Sequence, residues 1–275
     1  MSARETSITR VGRTSAGDAA EGTGPRPEPV MVAAARGLVA AAAAAGLPVR
    51  LLGGVAIWVR ASPAARAALG RDYPDIDLVA HKRQSRALRT VLEDGGYQPE
   101  RVFNATHGAR RLLYHSPDGH WQVDVFLDTF EMSHTLDLGA RLETEPETLP
   151  AAELLLTKLQ IAEVNAKDIS DTAMLLWDHE PVPGADGPQR LNLAELARVC
   201  GADWGLYTTV TDNLAACSGQ LAQLVADESA RAAIQARIET IRKELAAAPK
   251  SLAWRMRAKV GRRVRWYELP EEVTR

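Results

Sequence analysis

The chain changes character at Pro150. Before it, short β-type runs are punctuated by Gly, Pro and Asp: residues 49–52 stop at Gly53-Gly54, 75–80 form a compact apolar-acidic run, and 110–127 turn about Ser116-Pro117-Asp118-Gly119. After it, apolar residues recur at helical spacing through about residue 248. Strands grouped ahead of a run of helices predict an α+β fold, because sheet and helical layers must each bury one face. The expected organisation is a disordered polar tail over 1–27, a mixed-sheet core with flanking helices over 28–147, and a helical domain over 148–275 with a basic end.

Local signals place the elements. The alanine-rich stretch 29–45 is a helix, stopped by Gly46 and Pro48. Residues 55–60 continue as helix. Ser62-Pro63 reads as an N-cap followed by proline in the first turn, and Gly70 ends that short helix. Ser85 is expected to cap a helix over 86–94. Two β segments follow, at 97–104 and 110–115, and the second pairs with 121–127 as a hairpin. Beyond Pro150, helices are expected at 151–164, 170–177, 193–200, 204–215, 219–226 and 228–248, with a loop at 181–187.

Composition excludes several classes. With 275 residues and 46% hydrophobic content the chain can bury a core without staples. Its two cysteines, Cys200 and Cys217, have no metal-ligand spacing and read as reduced thiols. No run is apolar enough to span a bilayer, and the start lacks a secretion signal, so a cytoplasmic protein without membrane contact is expected. A net charge of −2 means that any nucleic-acid surface must be local.

The chemistry concentrates in three carboxylates. Asp75 and Asp77 are two apart in a strand, so both side chains lie on one face, their Cα atoms roughly 6.5–7 Å apart. Asp124 lies in the returning hairpin strand among Val123, Val125 and Phe126, where a charge is costly without a partner. If the strands are neighbours, three carboxylates converge and call for a hard divalent cation such as Mg²⁺ or Mn²⁺. An isolated Asp-x-Asp is usually a solvated strand end; the order of the surrounding parts raises its weight. Gly53-Gly54, at the end of the preceding β run, permits close approach of a phosphate to backbone amides.

That order of parts resembles the DNA polymerase β-type nucleotidyltransferase superfamily, and within it the branch of AbiEii-like, toxin-type nucleotidyltransferases. The resembling text is Leu51-Leu52-Gly53-Gly54-Val55-Ala56, Arg71-Asp72-Tyr73-Pro74-Asp75-Ile76-Asp77-Leu78, Val123-Asp124-Val125-Phe126, Leu154 to Leu159, and Lys167-Asp168-Ile169-Ser170-Asp171. It spans about residues 50–178. Tyr73 stands where that branch usually has Ser or Thr.

The resemblance implies a nucleotidyltransferase core followed by a helical domain, and a metal-dependent transfer of a nucleoside monophosphate from an NTP to an acceptor hydroxyl. Asp75, Asp77 and Asp124 would be both metal ligands and catalytic residues. Gly53, Gly54, Arg71 and Lys158 would bind the triphosphate. Asp168 and Asp171 would either orient Lys158 or Arg71 or serve only the helix; Lys167 has the same two readings. Arg71 has a competing role as partner of Asp72 or Asp75. His107 and His115 are polar candidates whose ordinary reading is structural.

The acceptor stays open. Residues 250–267 hold no acid, seven Lys or Arg residues and interleaved Trp and Tyr. That pattern suits RNA contact, but the short segment and the net charge of −2 weigh slightly toward the plain reading, a basic helix packed on an acidic protein. RNA, a small molecule such as an aminoglycoside, and a protein side chain are the candidate acceptors. A toxin-like role brings an antitoxin partner. The competing class is a catalytically inactive, nucleotidyltransferase-fold binding protein.

Overall fold

The computed structural model describes residues 29–269; the expected tail over 1–27 lies outside them. In chain order the elements are α1 (Val30–Ala44), β1 (Arg50–Leu52), α2 (Gly53–Arg60), α3 (Pro63–Leu69), β2 (Asp75–Ala80), α4 (Ser85–Asp94), β3 (Gln98–Pro99), α5 (Arg101–His107), β4 (Arg111–His115) and β5 (Gln122–Leu127). There follow β6 (Thr129–Glu131), β7 (Thr135–Asp137), α6 (Ala151–Leu159), α7 (Ala166–Asp178), β8 (Glu180–Val182), β9 (Arg190–Asn192), α8 (Leu193–Ala202), α9 (Trp204–Leu224), α10 (Glu228–Ala247) and α11 (Leu252–Val260).

The architecture is α+β: a mixed five-stranded sheet flanked by helices, then a helical bundle. Sheet order is β1-β2-β5-β4-β3, and only β2 and β5 run parallel. A parallel pair needs a crossover, which α4, β3, α5 and β4 provide. Ile76, Leu78, Val123 and Val125 are fully buried between the layers. The sheet and bundle share one continuous apolar core, running from Val32 on α1 to Leu245 on α10. The connecting segment is stitched to the free edge of β1: Leu51 N donates to Glu147 O at 2.9 Å, and Leu149 N donates to Leu51 O at 3.0 Å. Among the described residues no helix is long and apolar enough to cross a membrane.

Several boundaries differ from the sequence reading, each for a visible reason. The β segment expected over 97–104 is two residues of strand followed by α5. Asn104 explains the helix: its Nδ2 donates to Leu113 O at 3.0 Å and its Oδ1 accepts from Leu113 N at 2.7 Å. One buried amide side chain thus satisfies the edge of β4 that a strand would have paired. Ser85 begins α4 after a 3₁₀ turn over Lys82–Gln84 and does not cap it with its side chain. Helix α6 stops at Leu159 because Asn213 of α9 takes the carbonyls of Leu159 and Ile161, at 2.8 and 2.7 Å. The expected break near Gly219 is absent and α9 is continuous. Gly219 is exposed, and its cost of about 1 kcal/mol is offset by buried Leu214, Cys217 and Leu221. The loop expected at 181–187 begins inside β8, which pairs parallel with β9. By contrast, the Ser62 cap and the Asp75–Ala80 strand are as expected, Ser62 Oγ accepting from Ala65 N at 3.2 Å.

His179, at the end of α7, is fully buried and neutral. Its Nδ1 donates to Leu175 O at 2.8 Å, and Nε2 accepts from Arg60 Nε at 3.1 Å. Burial, then the neighbouring Arg60 charge, push its pKa down to about 4. The folded state therefore binds fewer protons than the unfolded chain between pH 6.5 and 4. Stability from this group is present above pH 6.5 and falls toward pH 4, by at most about 3 kcal/mol. Urea denaturation should show a flatter acid slope for His179→Gln than for the wild type; parallel slopes would contradict this account.

Candidate active site

Three chain segments meet at Asp77. The antiparallel pairing of β1 with β2 sets Leu52 opposite Asp77, so the next residue, Gly53, lies against the carboxylate. Gly53 has φ +70°, and a Cβ there would stand 2.0 Å from Asp77 Oδ2. Neither the backbone nor the space admits a side chain. A Cβ on Gly54 would stand 2.7 Å from Arg71 Nη2 and 2.8 Å from the Tyr73 ring. Gly53 also opens α2, whose first turn has no side-chain cap. Uncapped N–H groups at a helix start favour an anion.

The parallel pairing of β2 with β5 sets Asp77 opposite Asp124, and Asp75 opposite Gln122. Residues in register on adjacent strands share a face, so Asp75, Asp77 and Asp124 form one acidic patch. Burial, then repulsion from Asp75 and Asp124, push the Asp77 carboxyl up to about 8; Lys158 and Arg111 pull the other way. Asp124 is buried, and its Oδ1 accepts from Arg111 Nε at 2.7 Å. The Arg111 guanidinium lies over the Phe126 ring at 5.0 Å.

The basic side is held by Asp171, which is completely buried. Arg71 grips it with two bonds, Nε to Oδ1 at 3.1 Å and Nη2 to Oδ2 at 2.7 Å. Lys158 Nζ lies 2.9 Å from Asp171 Oδ2 and 3.2 Å from Asp168 Oδ1. Burial disfavours the Lys158 charge, but Asp171, Asp168 and Asp77 outweigh it and its pKa is raised. Arg71 is raised for the same reason: Asp171 outweighs burial. Arg71 also covers the Tyr73 ring at 4.4 Å. Burial pushes the Tyr73 hydroxyl up to about 12. Two buried polar atoms in this cluster, Tyr73 Oη and Asp168 Oδ2, have no hydrogen-bond partner among the described residues.

The structure thus brings Gly53, Gly54, Asp75, Asp77, Asp124, Arg71 and Lys158 into one neighbourhood. Asp168 and Asp171 orient the two cations, and Arg71 pairs with Asp171 rather than with Asp72 or Asp75 through its charge. Lys167 is exposed and stays outside. His107 packs on Phe103 at 4.7 Å and His115 lies 3.6 Å from Glu100, both serving the α5–β4 layer. Arg111 is the residue the sequence reading missed. The hairpin register would have located it, because pairing Leu113 with Asp124 puts Arg111 on the same face two residues along.

The three carboxylates of the patch offer hard oxygen donors and repel one another, which suits Mg²⁺ or Mn²⁺. As they stand, no three His, Cys, Asp or Glu side chains among the described residues are placed to hold a metal ion. The Arg111 bond draws on one Asp124 oxygen, so gathering the three carboxylates requires Asp124 to share or leave that partner.

No protein-family model and no curated protein matches the sequence. Among solved structures, the solution structure of the antibiotic-resistance factor ANT(2'')-Ia is similar to this chain, with a TM-score of 0.37 and 16% identity. The match covers 53% of this chain and 82% of that one. A likeness of that size says nothing about what the chain acts on.

Removing Asp171 leaves Arg71 without its carboxylate and Lys158 with Asp168 alone, two partly buried cations facing each other. Asp171→Ala should cost roughly 3–5 kcal/mol in chemical denaturation. A change below about 1 kcal/mol would show that the Arg71–Asp171–Lys158 cluster does not organise this region.

Proposed function

We propose that the protein transfers a nucleoside monophosphate from a nucleoside triphosphate to an acceptor hydroxyl, releasing pyrophosphate. The observation that carries this reading is the β2–β5 register, which seats Asp77 beside Asp124, with Asp75 on the same face and Gly53 pressed against Asp77. Asp75, Asp77 and Asp124 would hold Mg²⁺ or Mn²⁺, which when bound neutralises triphosphate charge and favours the ionised acceptor oxygen.

The chain's own residues do the positioning. The N–H groups opening α2, with Gly53 and Gly54 bare of side chains, receive the phosphates. Lys158 and Arg71 balance charge on the leaving pyrophosphate, held in place by Asp168 and Asp171. The acceptor oxygen forms a bond to the α-phosphorus, and the α–β bridging bond breaks. The hydroxyl proton passes to Asp124, which Arg111 fixes against β4. Such chemistry needs positioning and charge balance more than covalent catalysis.

RNA as acceptor, in a toxin-like protein with an antitoxin, draws its support from the exposed Arg255, Lys259, Arg263 and Arg265. The aromatic residues of that segment give less. Trp254 packs edge-on to Tyr207, Trp266 packs edge-on to Trp204, and Trp266 Nε1 donates to Thr209 Oγ1 at 3.1 Å. Their faces carry Lys250 and Arg262 from the same segment. RNA would meet this surface mainly through phosphate contacts.

A second reading, a binding protein without turnover, is favoured by the Arg111–Asp124 ion pair, which occupies the third carboxylate. Incubation with each labelled NTP, Mg²⁺, and separate RNA, protein and small-molecule fractions discriminates the two. Label should enter one fraction, and Asp77→Asn or Asp124→Asn should reduce it at least ~100-fold with the fold intact by circular dichroism. Labelling undiminished in both variants would remove the aspartate site. If the RNA fraction takes label, Arg262, Arg263 and Arg265 changed together to Ser should weaken RNA binding and flatten its salt dependence. An unchanged isotherm across salt would exclude that segment from the acceptor surface.

A further inference from the structure

A second concave site lies on another side of α6. An open cleft of about 340 Å³ is lined by β7, α6, α8 and the start of α9. That volume matches a small organic molecule. Leu136, Leu138, Leu156, Val199 and Leu206 supply apolar wall. Glu153 supplies the chemistry. It is only 2% exposed, Oε1 accepts from Arg141 Nε, and Oε2 has no partner among the described residues. A buried carboxylate oxygen left unpaired costs free energy that a ligand can recover.

The charges around it are already committed in pairs, with negative charge left over. Arg141 divides its guanidinium between Glu153 and Asp186, at 2.7 Å to the latter. Arg198, the permanent cation on the wall itself, is gripped by Glu195 through two bonds at 2.8 and 2.5 Å. Burial lowers the His134 pKa, and its Nε2 lies 2.9 Å from Thr209 Oγ1. Asp203 and Asp137 accept from the backbone N–H groups of Leu206 and Gly139, at 2.9 and 3.2 Å. Asp186 Oδ1 is likewise buried and unmatched among the described residues, but Asp186 does not line the cavity; of the lining carboxylates, Glu153 alone has such an oxygen.

We propose that this cavity binds a small organic amine, its ammonium group donating to Glu153 Oε2 and its hydrocarbon part lying against Leu156 and Val199. Burial pushes the Glu153 carboxyl up to about 7, a penalty that a bound ammonium would relieve. An anion would meet uncompensated carboxylates, and a neutral alcohol would bring no charge to match. The site shares α6 with the proposed triphosphate site but uses other residues. It therefore stands or falls independently of nucleotide transfer.

The test uses n-butylamine, benzylamine and their neutral isosteres n-butanol and benzyl alcohol on the full chain, read by ¹H–¹⁵N shift perturbation. One amine should saturate a single set of shifts on β7, α6 and α8, at least ~10-fold tighter than its alcohol. Glu153→Gln, which keeps an acceptor for Arg141, should lose that ~10-fold preference. Equal binding of amine and alcohol to the wild type, no binding of either amine, or an unchanged preference in Glu153→Gln would overturn the proposal. The amine–alcohol comparison needs no variant and decides the matter if Glu153→Gln fails to fold.

Discussion

Like charges placed side by side on β2 and β5 are the constraint around which the rest is arranged. Asp77 and Asp124 are register neighbours in the sheet's one parallel pair, with Asp75 two residues away. Burial, with their repulsion added, raises the Asp77 carboxyl well above the ordinary range. The surrounding elements supply countercharge from both directions: Arg111 from β4 and Lys158 from α6. Lys158 could not be buried there without Asp168 and Asp171, and Asp171 in turn fixes Arg71 ahead of β2. A chain of alternating charges thus connects the sheet to the helical bundle. Buried ion pairs seldom add net stability over apolar packing, but they are costly to break, and they fix geometry.

How much of this was legible in the sequence depended on how local each cause was. The Asp75–Ala80 strand and the Ser62-Pro63 helix start follow from residues within a few positions, and both were read correctly. Gly53-Gly54 could be placed beside the acidic strand from order alone; that Gly53 touches Asp77 needed the β1–β2 register. The α5 helix was hidden because its cause, Asn104 bonding to the β4 edge, is a tertiary contact beneath β-favouring residues. The end of α6 was hidden for the same kind of reason, since Asn213 acts from more than fifty residues away. Arg111 was recoverable in principle, because the turn at Ser116–Gly119 sets the hairpin register.

The C-terminal segment shows a similar split. Its positive charge was plain from composition, whereas the use of its aromatic rings was not. Trp254 and Trp266 are spent on α9 and on cations of their own segment, leaving arginines rather than rings for any partner. Glu153 gave no sequence signal either: an acidic residue in the first turn of a helix is ordinary. Its burial beside a cavity emerges only when α6, α8 and β7 are assembled.

The central claim is that the three aspartates form a cation-dependent triphosphate site. Calorimetric titration of a non-hydrolysable nucleoside triphosphate analogue, with Mg²⁺ and then with chelator, tests it most directly. The account predicts binding that requires Mg²⁺ and is lost in Asp77→Asn. Binding of equal strength with chelator present, or in Asp77→Asn, would contradict it.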